Sequence, residues 1–216
     1  MVRTSSTRVL VLEAAGKVFS AGHDLSELRS ATPEQRAATF AACSEVMMSL
    51  RTLPQPVIAQ VTGLATAAGC QLVASCDLAL ASSEARFATP GVSVGLFCST
   101  PAVPLVRAIG GKRALRMLLT GEVISAQTAL EWGLVSHVAA PESMQAVLES
   151  VINPIIGASS VAVTIGKATF WAQESLSEAA AYEVASQAMA HNCCADDAVE
   201  GFSAFLQKRK PVWTGK

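Results

Sequence analysis

Short apolar runs separated by glycine-containing turns occupy the first 140 residues of the chain. The runs at residues 8–13, 56–61 and 76–81 are apolar almost throughout, which is typical of strands buried on both faces of a sheet. Shorter apolar segments at 18–20, 86–90 and 134–138 predict three further extended pieces. Strands of this kind separated by helical segments predict a parallel sheet in an α/β fold.

Apolar residues recur at helical spacing between and after these runs. Phe40, Cys43, Met47 and Leu50 form one apolar stripe, and Thr32-Pro33 supplies an N-cap with proline at the first helical position. We predict a short helical turn at 24–28 and helices at 33–50, 67–75, 103–109, 112–119, 125–132, 142–156, 159–170, 176–193 and 196–207. The order predicts an α/β core over residues 1–140 and a helical segment over 141–216.

Composition narrows the class of protein. Apolar residues make up 51% of the 216, only 15% are charged, and mean hydropathy is +0.40, so we expect some apolar surface to be buried between subunits. The net charge is −1 and the longest basic run is Lys208 to Lys210, which argues against nucleic acid as a partner. Six cysteines without CxxC spacing indicate reduced intracellular thiols. The uncharged stretch 52–76 contains prolines, glycines and glutamines, which favour a buried strand, turn and helix over a membrane span.

Two glycine-containing turns, each after an apolar strand and before a helix, are the candidate chemistry. They lie at residues 19–25 (FSAGHDL) and 63–72 (GLATAAGCQL). Such turns expose main-chain N–H groups, and two of them directed at one point would stabilise a developing oxyanion. On the residues alone, two ordinary β–α turns are the favoured explanation of the pattern.

Both turns resemble known motifs. The first resembles F-x-A-G-x-D-[LI], and the second, continuing to Cys76-Asp77, resembles G-x-A-x-G-G-G-x-E-[LI]…C-D. Segments 87–91, 118–122, 124–127, 132–135 and 205–211 follow in the same order. By this resemblance, over about residues 8 to 213, the chain is identified as a member of the crotonase (enoyl-CoA hydratase/isomerase) family.

The resemblance implies a crotonase-like (ClpP/crotonase) stacked-sheet core with flanking helices and a helical C-terminal trimerisation segment. It further implies an acyl-CoA thioester as ligand, no required cofactor or metal, a homotrimer or hexamer, and a mitochondrial location. Family members usually carry further strands and a helix before residue 8. We therefore expect this chain to be N-terminally truncated, with an exposed sheet edge and weakened coenzyme A affinity.

The family's oxyanion donors correspond to the main-chain N–H groups of His23 and Ala68. Ala68 stands where the family usually has glycine, so we expect its methyl group to restrict φ there. The resemblance assigns the binding of the acyl-CoA ligand to Ala21, His23, Asp24, Leu25, Gly63, Ala65 and Lys208.

The two glutamates that the family uses for hydration correspond to Gln71 and Gly91. Adding water to a double bond needs one group to activate water and one to protonate carbon, and neither an amide nor a glycine does so. The sequence therefore predicts an acyl-CoA-binding protein of fatty-acid metabolism that is not an efficient hydratase. Two alternatives stay open: a thioesterase or decarboxylase that uses His23 or Cys98, and a non-catalytic regulatory subunit.

Overall fold

The computed structural model describes residues 6–216, which contain eight strands and ten α-helices. The strands are β1 (Leu10–Leu12), β2 (Val18–Ser20), β3 (Val57–Val61), β4 (Leu64–Thr66), β5 (Leu78–Ser82), β6 (Arg86–Ala88), β7 (Val123–Ser125) and β8 (His137–Ala139). The helices are α1 (Leu25–Ser30), α2 (Pro33–Thr52), α3 (Ala68–Ser75), α4 (Ser99–Ile109), α5 (Gly111–Thr120), α6 (Ala126–Trp132), α7 (Met144–Gly157), α8 (Ser160–Gln173), α9 (Glu178–Cys193) and α10 (Asp196–Leu206). The described residues also form two 3-10 helices, at Pro90–Val94 and Pro141–Ser143.

The strands form two four-stranded sheets. One has the order β1-β3-β5-β8 and the other the order β2-β4-β6-β7. Their pairings β3–β5, β5–β8, β2–β4 and β4–β6 are parallel, whereas β6–β7 is antiparallel. All five residues of β3 are buried, which explains why this strand is apolar without alternation. The α/β class predicted from the sequence is confirmed.

Two compact units are distinguished along the chain. The larger comprises Val11–Leu50 and Val57–Glu149 and contains the paired strands. Its core includes the fully buried side chains of Ile58, Leu80 and Phe87. The smaller comprises residues 6–10, Arg51–Pro56 and Ser150–Lys216, with helices α8, α9 and α10. The predicted division at residue 140 stays a prediction.

Several predicted boundaries were wrong. The strand expected at 134–138 lies at His137–Ala139, because the Leu134 N–H donates to Ala129 O and so closes the end of α6. Helix α4 begins at Ser99 rather than at residue 103, since its Pro101 stands in the first turn, where no intrahelical N–H is needed. Strands β4 and β7 were not predicted: each has three residues and follows a turn.

In the smaller unit, one buried carboxylate accepts hydrogen bonds from the C-terminal tail. Asp197 is 2% exposed and accepts hydrogen bonds from Ser159 Oγ (2.6 Å) and the Thr214 N–H (2.7 Å), as well as from the Gly215 N–H (3.2 Å). Burial alone would raise the pKa of Asp197, but these hydrogen bonds outweigh it and hold the pKa below its ordinary value. Trp213 closes the same tail by donating its ring N–H to a main-chain carbonyl 2.7 Å away.

Neither a membrane helix nor a metal cluster stands out in the described chain. Within residues 6–216 no single helix is long and apolar enough to cross a membrane, and only the bent pair Pro141–Gly157 and Ser160–Gln173 reaches that length and composition together. The same residues contain no group of three or more His, Cys, Asp or Glu side chains arranged to hold a metal ion. All six cysteines are free thiols.

Candidate functional site

A cavity of about 500 Å³ lies in the larger unit, between the turn after β2, the start of α3 and the segment that leads into α4. Its wall is mainly apolar, with Leu28, Phe40, Leu96 and Phe97 among the lining side chains. The described residues that line it include no Asp, Glu, Lys or Arg. The cavity therefore suits an uncharged, apolar group.

The turn after β2 contains one main-chain N–H group without an acceptor among the described residues. Gly22 adopts φ +91°, a conformation that glycine tolerates, and its N–H donates to Ser20 Oγ at 3.3 Å. Asp24 then caps α1, since its carboxylate accepts the Ser26 N–H at 2.7 Å. Between them, the N–H of His23 has no hydrogen-bond acceptor among residues 6–216. His23 itself lines the cavity.

The start of α3 presents the second. Ala68 is the first residue of this helix, so its N–H has no acceptor within the helix, and it also lines the cavity. The two segments touch: a Cβ added to Gly22 would lie 3.1 Å from the Ala68 nitrogen, and one added to Gly69 would collide with the carbonyl oxygen of Ser20. The two glycines therefore allow the two segments to approach closely, and both segments line one cavity.

The backbone restriction expected at Ala68 lies instead at its neighbour. Ala67 has φ +51° and ψ −119°, and in residues 6–216 only Lys208 is another non-glycine residue with positive φ. Ala68 is in the helix, where a methyl group is unrestricted. The expectation for Ala68 was wrong because the glycine-like conformation falls on the N-cap and not on the first helical residue.

His23 and Cys98 line the same cavity without forming a nucleophile–base pair. The imidazole of His23 packs edge-on against Phe40, with ring centroids 5.1 Å apart and an interplanar angle of 76°. Cys98 is the N-cap of α4 but makes no capping hydrogen bond. Among the residues described, no hydrogen bond joins His23 to Cys98, so the arrangement that activates a catalytic thiol is not formed here.

The two positions that replace the family's glutamates differ in their surroundings. Gly91 lines the cavity, and a Cβ added to it would lie 2.7 Å from Leu96 O and 2.8 Å from Cys98 Sγ. The cysteine sulfur thus fills the space that a side chain at position 91 would need. Gln71 is 3% exposed on α3 and is not among the residues lining the cavity, and its Oε1 has no hydrogen-bond partner among the described residues.

Only some of the other residues assigned to acyl-CoA binding line the cavity. Ala21 and Leu25 line the cavity with His23. Ala65 is fully buried in β4, paired with Phe87, and does not line the cavity. Its role in binding stays a prediction.

Three further predicted contacts lie outside the cavity lining. Gly63 packs against the carbonyl of Lys17. The Asp24 carboxylate has its pKa lowered by the hydrogen bonds it accepts from the Ser26 side chain and main chain. Lys208 belongs to the smaller unit, where its φ is +53°. The ligand contacts assigned to these residues also stay predictions.

Some of the cavity wall was not identified from the sequence. Thr66, at the end of β4, lines the cavity, although β4 was not expected as a strand. Phe40 was assigned to the apolar stripe of a helix and was expected only in the core. Leu96 and Phe97 lie in a loop and are 51% and 45% exposed. The sequence offered only their adjacency, two large apolar residues outside any predicted helix or strand, as a signal.

The comparisons with known proteins decide the family. The enoyl-CoA hydratase/isomerase family model matches residues 1–216. The chain belongs to this family. Enoyl-CoA hydratase domain-containing protein 3, mitochondrial, of Mus musculus is 53% identical to this crotonase-family chain over 208 residues, which is 96% of the chain and 69% of the relative.

Solved structures agree with this assignment. An enoyl-CoA hydratase from Mycobacterium smegmatis is 49% identical, with a TM-score of 0.94 over 95% of this chain and 80% of its own. The human enoyl Coenzyme A hydratase domain-containing protein 3 is 54% identical, with a TM-score of 0.91 over 95% and 82%. The crotonase fold expected from the resemblance is confirmed. The chain is thus an enoyl-CoA hydratase/isomerase-like protein in which positions 71 and 91 hold glutamine and glycine.

Proposed function

We propose that this chain binds acyl-CoA thioesters, holds the thioester carbonyl with the N–H groups of His23 and Ala68, and does not hydrate enoyl esters efficiently. One observation carries the proposal: two main-chain segments with free N–H groups meet at an apolar cavity whose described lining has no carboxylate. Donors of this kind stabilise negative charge on an acyl oxygen. The two carboxylates that hydration uses are missing, however. The loss of one acid or base group lowers the rate of such a reaction on the order of 10²- to 10⁴-fold.

The lining of the cavity also limits the acyl group. A charged acyl end placed against Leu28, Phe40 and Phe97 would lose its hydration without gaining an ionic partner. An uncharged, apolar acyl chain loses nothing in the same place and gains from burial. We therefore assign to this chain apolar fatty acyl esters rather than dicarboxylic ones.

The proposal also covers the cellular compartment and the oligomeric state of the protein. Similar proteins from Mus musculus and Homo sapiens are named mitochondrial, which supports a role in mitochondrial fatty-acid metabolism. The family resemblance supports a homotrimer or hexamer and a contact of Lys208 with coenzyme A. Exposed apolar side chains on the smaller unit, among them Phe205 at 83% and Leu206 at 79%, support an interface between subunits.

A thioesterase is the second candidate function, because Cys98 lines the cavity. Hydrolysis through a thiol requires a base to activate it, and His23 packs on Phe40 instead of bonding to Cys98. A non-catalytic partner of active relatives is compatible with the missing carboxylates. Release of free coenzyme A thiol from a saturated ester would favour the thioesterase, and the absence of any acyl-CoA binding would favour the partner.

The test compares two glycine variants with the same backbone requirement. Gly22 and Gly16 have φ +91° and +88°, so alanine is strained at both. Only at Gly22 does the new methyl approach the Ala68 nitrogen, at 3.1 Å, whereas nothing lies within 4 Å at Gly16. We expect Gly22→Ala to weaken binding of butyryl-CoA, measured by titration calorimetry, at least tenfold, and Gly16→Ala to leave it unchanged. Equal affinities in both variants would contradict the assignment of the donors.

A further inference from the structure

We propose that the cavity selects medium- and long-chain acyl esters over short ones, because the longer chain covers an apolar rim where the cavity opens to solvent. The inference rests on the proposed function, since the ester must already be held at its thioester carbonyl. It adds the acyl chain length that the site prefers and the residues that set this preference.

Four large apolar side chains line the cavity and are nevertheless about half exposed. They are Leu25, Val94, Leu96 and Phe97, and their exposed fractions run from 45% to 58%. Residues that both line a cavity and face water lie where the cavity opens, so we call these four residues the apolar rim. Apolar surface concentrated in one place marks a site that a ligand or a partner covers.

Main-chain hydrogen bonds hold most of the rim in place. The Leu96 N–H donates to Gly91 O at 2.9 Å, and the Ser99 N–H donates to Phe97 O at 2.7 Å. Gly95, which precedes Leu96, takes φ +77°, a conformation that glycine adopts readily. The segment is therefore ordered before a ligand arrives, and little binding energy is lost in ordering it.

The size of the cavity is a second, independent argument. A methylene group is about as large as a water molecule, which occupies about 30 Å³ in the liquid. A butyryl group with its four carbons thus fills roughly 120 Å³, about a quarter of a cavity of about 500 Å³. A dodecanoyl group fills roughly 360 Å³ and leaves far less of the apolar wall in contact with water.

The coenzyme A part of the ester is a poor cover for the rim. Its phosphates would lose hydration against Leu96 and Phe97 without gaining an ionic partner, because the described lining contains no Lys or Arg. The acyl chain is the apolar part of the ligand, and each CH₂ group that it buries strengthens binding about fourfold. We therefore assign the rim to the acyl chain.

Titration calorimetry with butyryl-, octanoyl- and dodecanoyl-CoA tests the inference, with each ester kept below the concentration at which it forms micelles. We expect octanoyl-CoA to bind at least about twentyfold more tightly than butyryl-CoA, because four added CH₂ groups leave water. Dodecanoyl-CoA should bind at least about fivefold more tightly again. The second gain is smaller because a chain that covers the rim keeps one side in contact with water.

Leu96→Ser/Phe97→Ser removes two rim side chains, and Leu115→Ser is the matched control. Leu115 is 48% exposed on α5 and is not among the residues lining the cavity. The rim variant should lower the ratio of dodecanoyl-CoA to butyryl-CoA affinity at least about fivefold, whereas Leu115→Ser should leave that ratio unchanged. Since all three side chains are about half exposed, serine should cost little stability, and thermal unfolding checks that each variant is folded.

Three outcomes overturn this inference and leave the proposed function standing. In the first, the three esters bind with equal affinity. In the second, the rim variant weakens butyryl-CoA and dodecanoyl-CoA equally, which assigns the rim to the coenzyme A part. In the third, the rim variant changes the oligomeric mass measured by light scattering but not the affinity ratio, which assigns the rim to a contact between subunits.

Gly22→Ala distinguishes binding in the cavity from adsorption of a long chain elsewhere on the protein. Its new methyl would lie 3.1 Å from the Ala68 nitrogen, so it should weaken dodecanoyl-CoA binding as it weakens butyryl-CoA binding. Dodecanoyl-CoA affinity that Gly22→Ala does not change, while butyryl-CoA affinity falls, would place the long chain outside the cavity and overturn the inference. If none of the three esters binds, the proposed function fails as well.

Discussion

Replacing Gly91 by alanine probes whether the chain still has room for an acid/base side chain at this position. The new Cβ would lie 2.7 Å from Leu96 O and 2.8 Å from Cys98 Sγ, with Cys98 N at 3.3 Å. Real Cβ atoms do not approach other atoms so closely, and one of the two nearest is main chain, so the loop must move. Overpacking of this kind costs about 1–3 kcal/mol. For a chain of this size that lowers Tm by about 2–12 °C.

Thermal unfolding followed by circular dichroism measures this cost, with Gly111→Ala as the matched control. Gly111 also lies in the larger unit, at the start of α5, and nothing stands within 4 Å of its added Cβ. Combining Gly91→Ala with Cys98→Ala should recover part of the loss, because the sulfur is removed while Leu96 O remains. A Gly91→Ala variant as stable as Gly111→Ala, with effects that add independently to those of Cys98→Ala, would refute the packing argument.

Three further predictions concern single residues. Ala67→Gly should raise Tm, because Ala67 holds φ +51°, a conformation that costs a non-glycine residue about 1–3 kcal/mol. Glycine avoids this cost, which exceeds the stability it loses through the greater entropy of the unfolded chain. A lower Tm would contradict this. Gln71→Glu places a carboxyl group at a site 3% exposed, so its pKa should rise; urea unfolding at pH 5 and pH 8 should show a larger loss of stability at pH 8, and a pH-independent loss would contradict burial. Asp197 has a lowered pKa, so its contribution to stability is present above the unfolded pKa of about 3.9 and is lost as pH falls through the folded value. Tryptophan fluorescence, to which Trp213 contributes, should therefore change below about pH 4 in the unmodified protein, and Asp197→Asn should reduce that change.

Burial on both faces was predicted correctly for β3 but not for β1, which is only half-buried at all three residues. Strand β3 is apolar at nearly every position and is buried at every position, so its pattern and its environment agree. Helix α2 was similarly clear, since Thr32 and Gln35 cap each other through reciprocal hydrogen bonds of 2.8 and 3.3 Å. Three-residue strands such as β4 leave too short a pattern, and their position follows from pairing with distant segments.

The candidate site was predictable as a set of turns but not as a cavity. The motifs placed His23 and Ala68 on separate turns, and only the close approach of Gly22 to the Ala68 nitrogen shows that the turns meet. The relation of Cys98 to Gly91 could not be predicted either, because the 3-10 helix and the loop after it bring together residues seven apart. The glycine-like conformation was assigned to the wrong alanine because a motif does not say where its helix begins.

Product analysis after incubation of the protein with crotonyl-CoA distinguishes a protein that only binds enoyl esters from one that hydrates them. If an ester is held by two N–H groups with no carboxylate beside it, 3-hydroxyacyl product should not form catalytically. Butyryl-CoA should bind in the same conditions. Repeated turnover to the 3-hydroxyacyl ester would contradict the proposal, since it would require another group, such as the His23 imidazole, to transfer protons in place of the missing carboxylates.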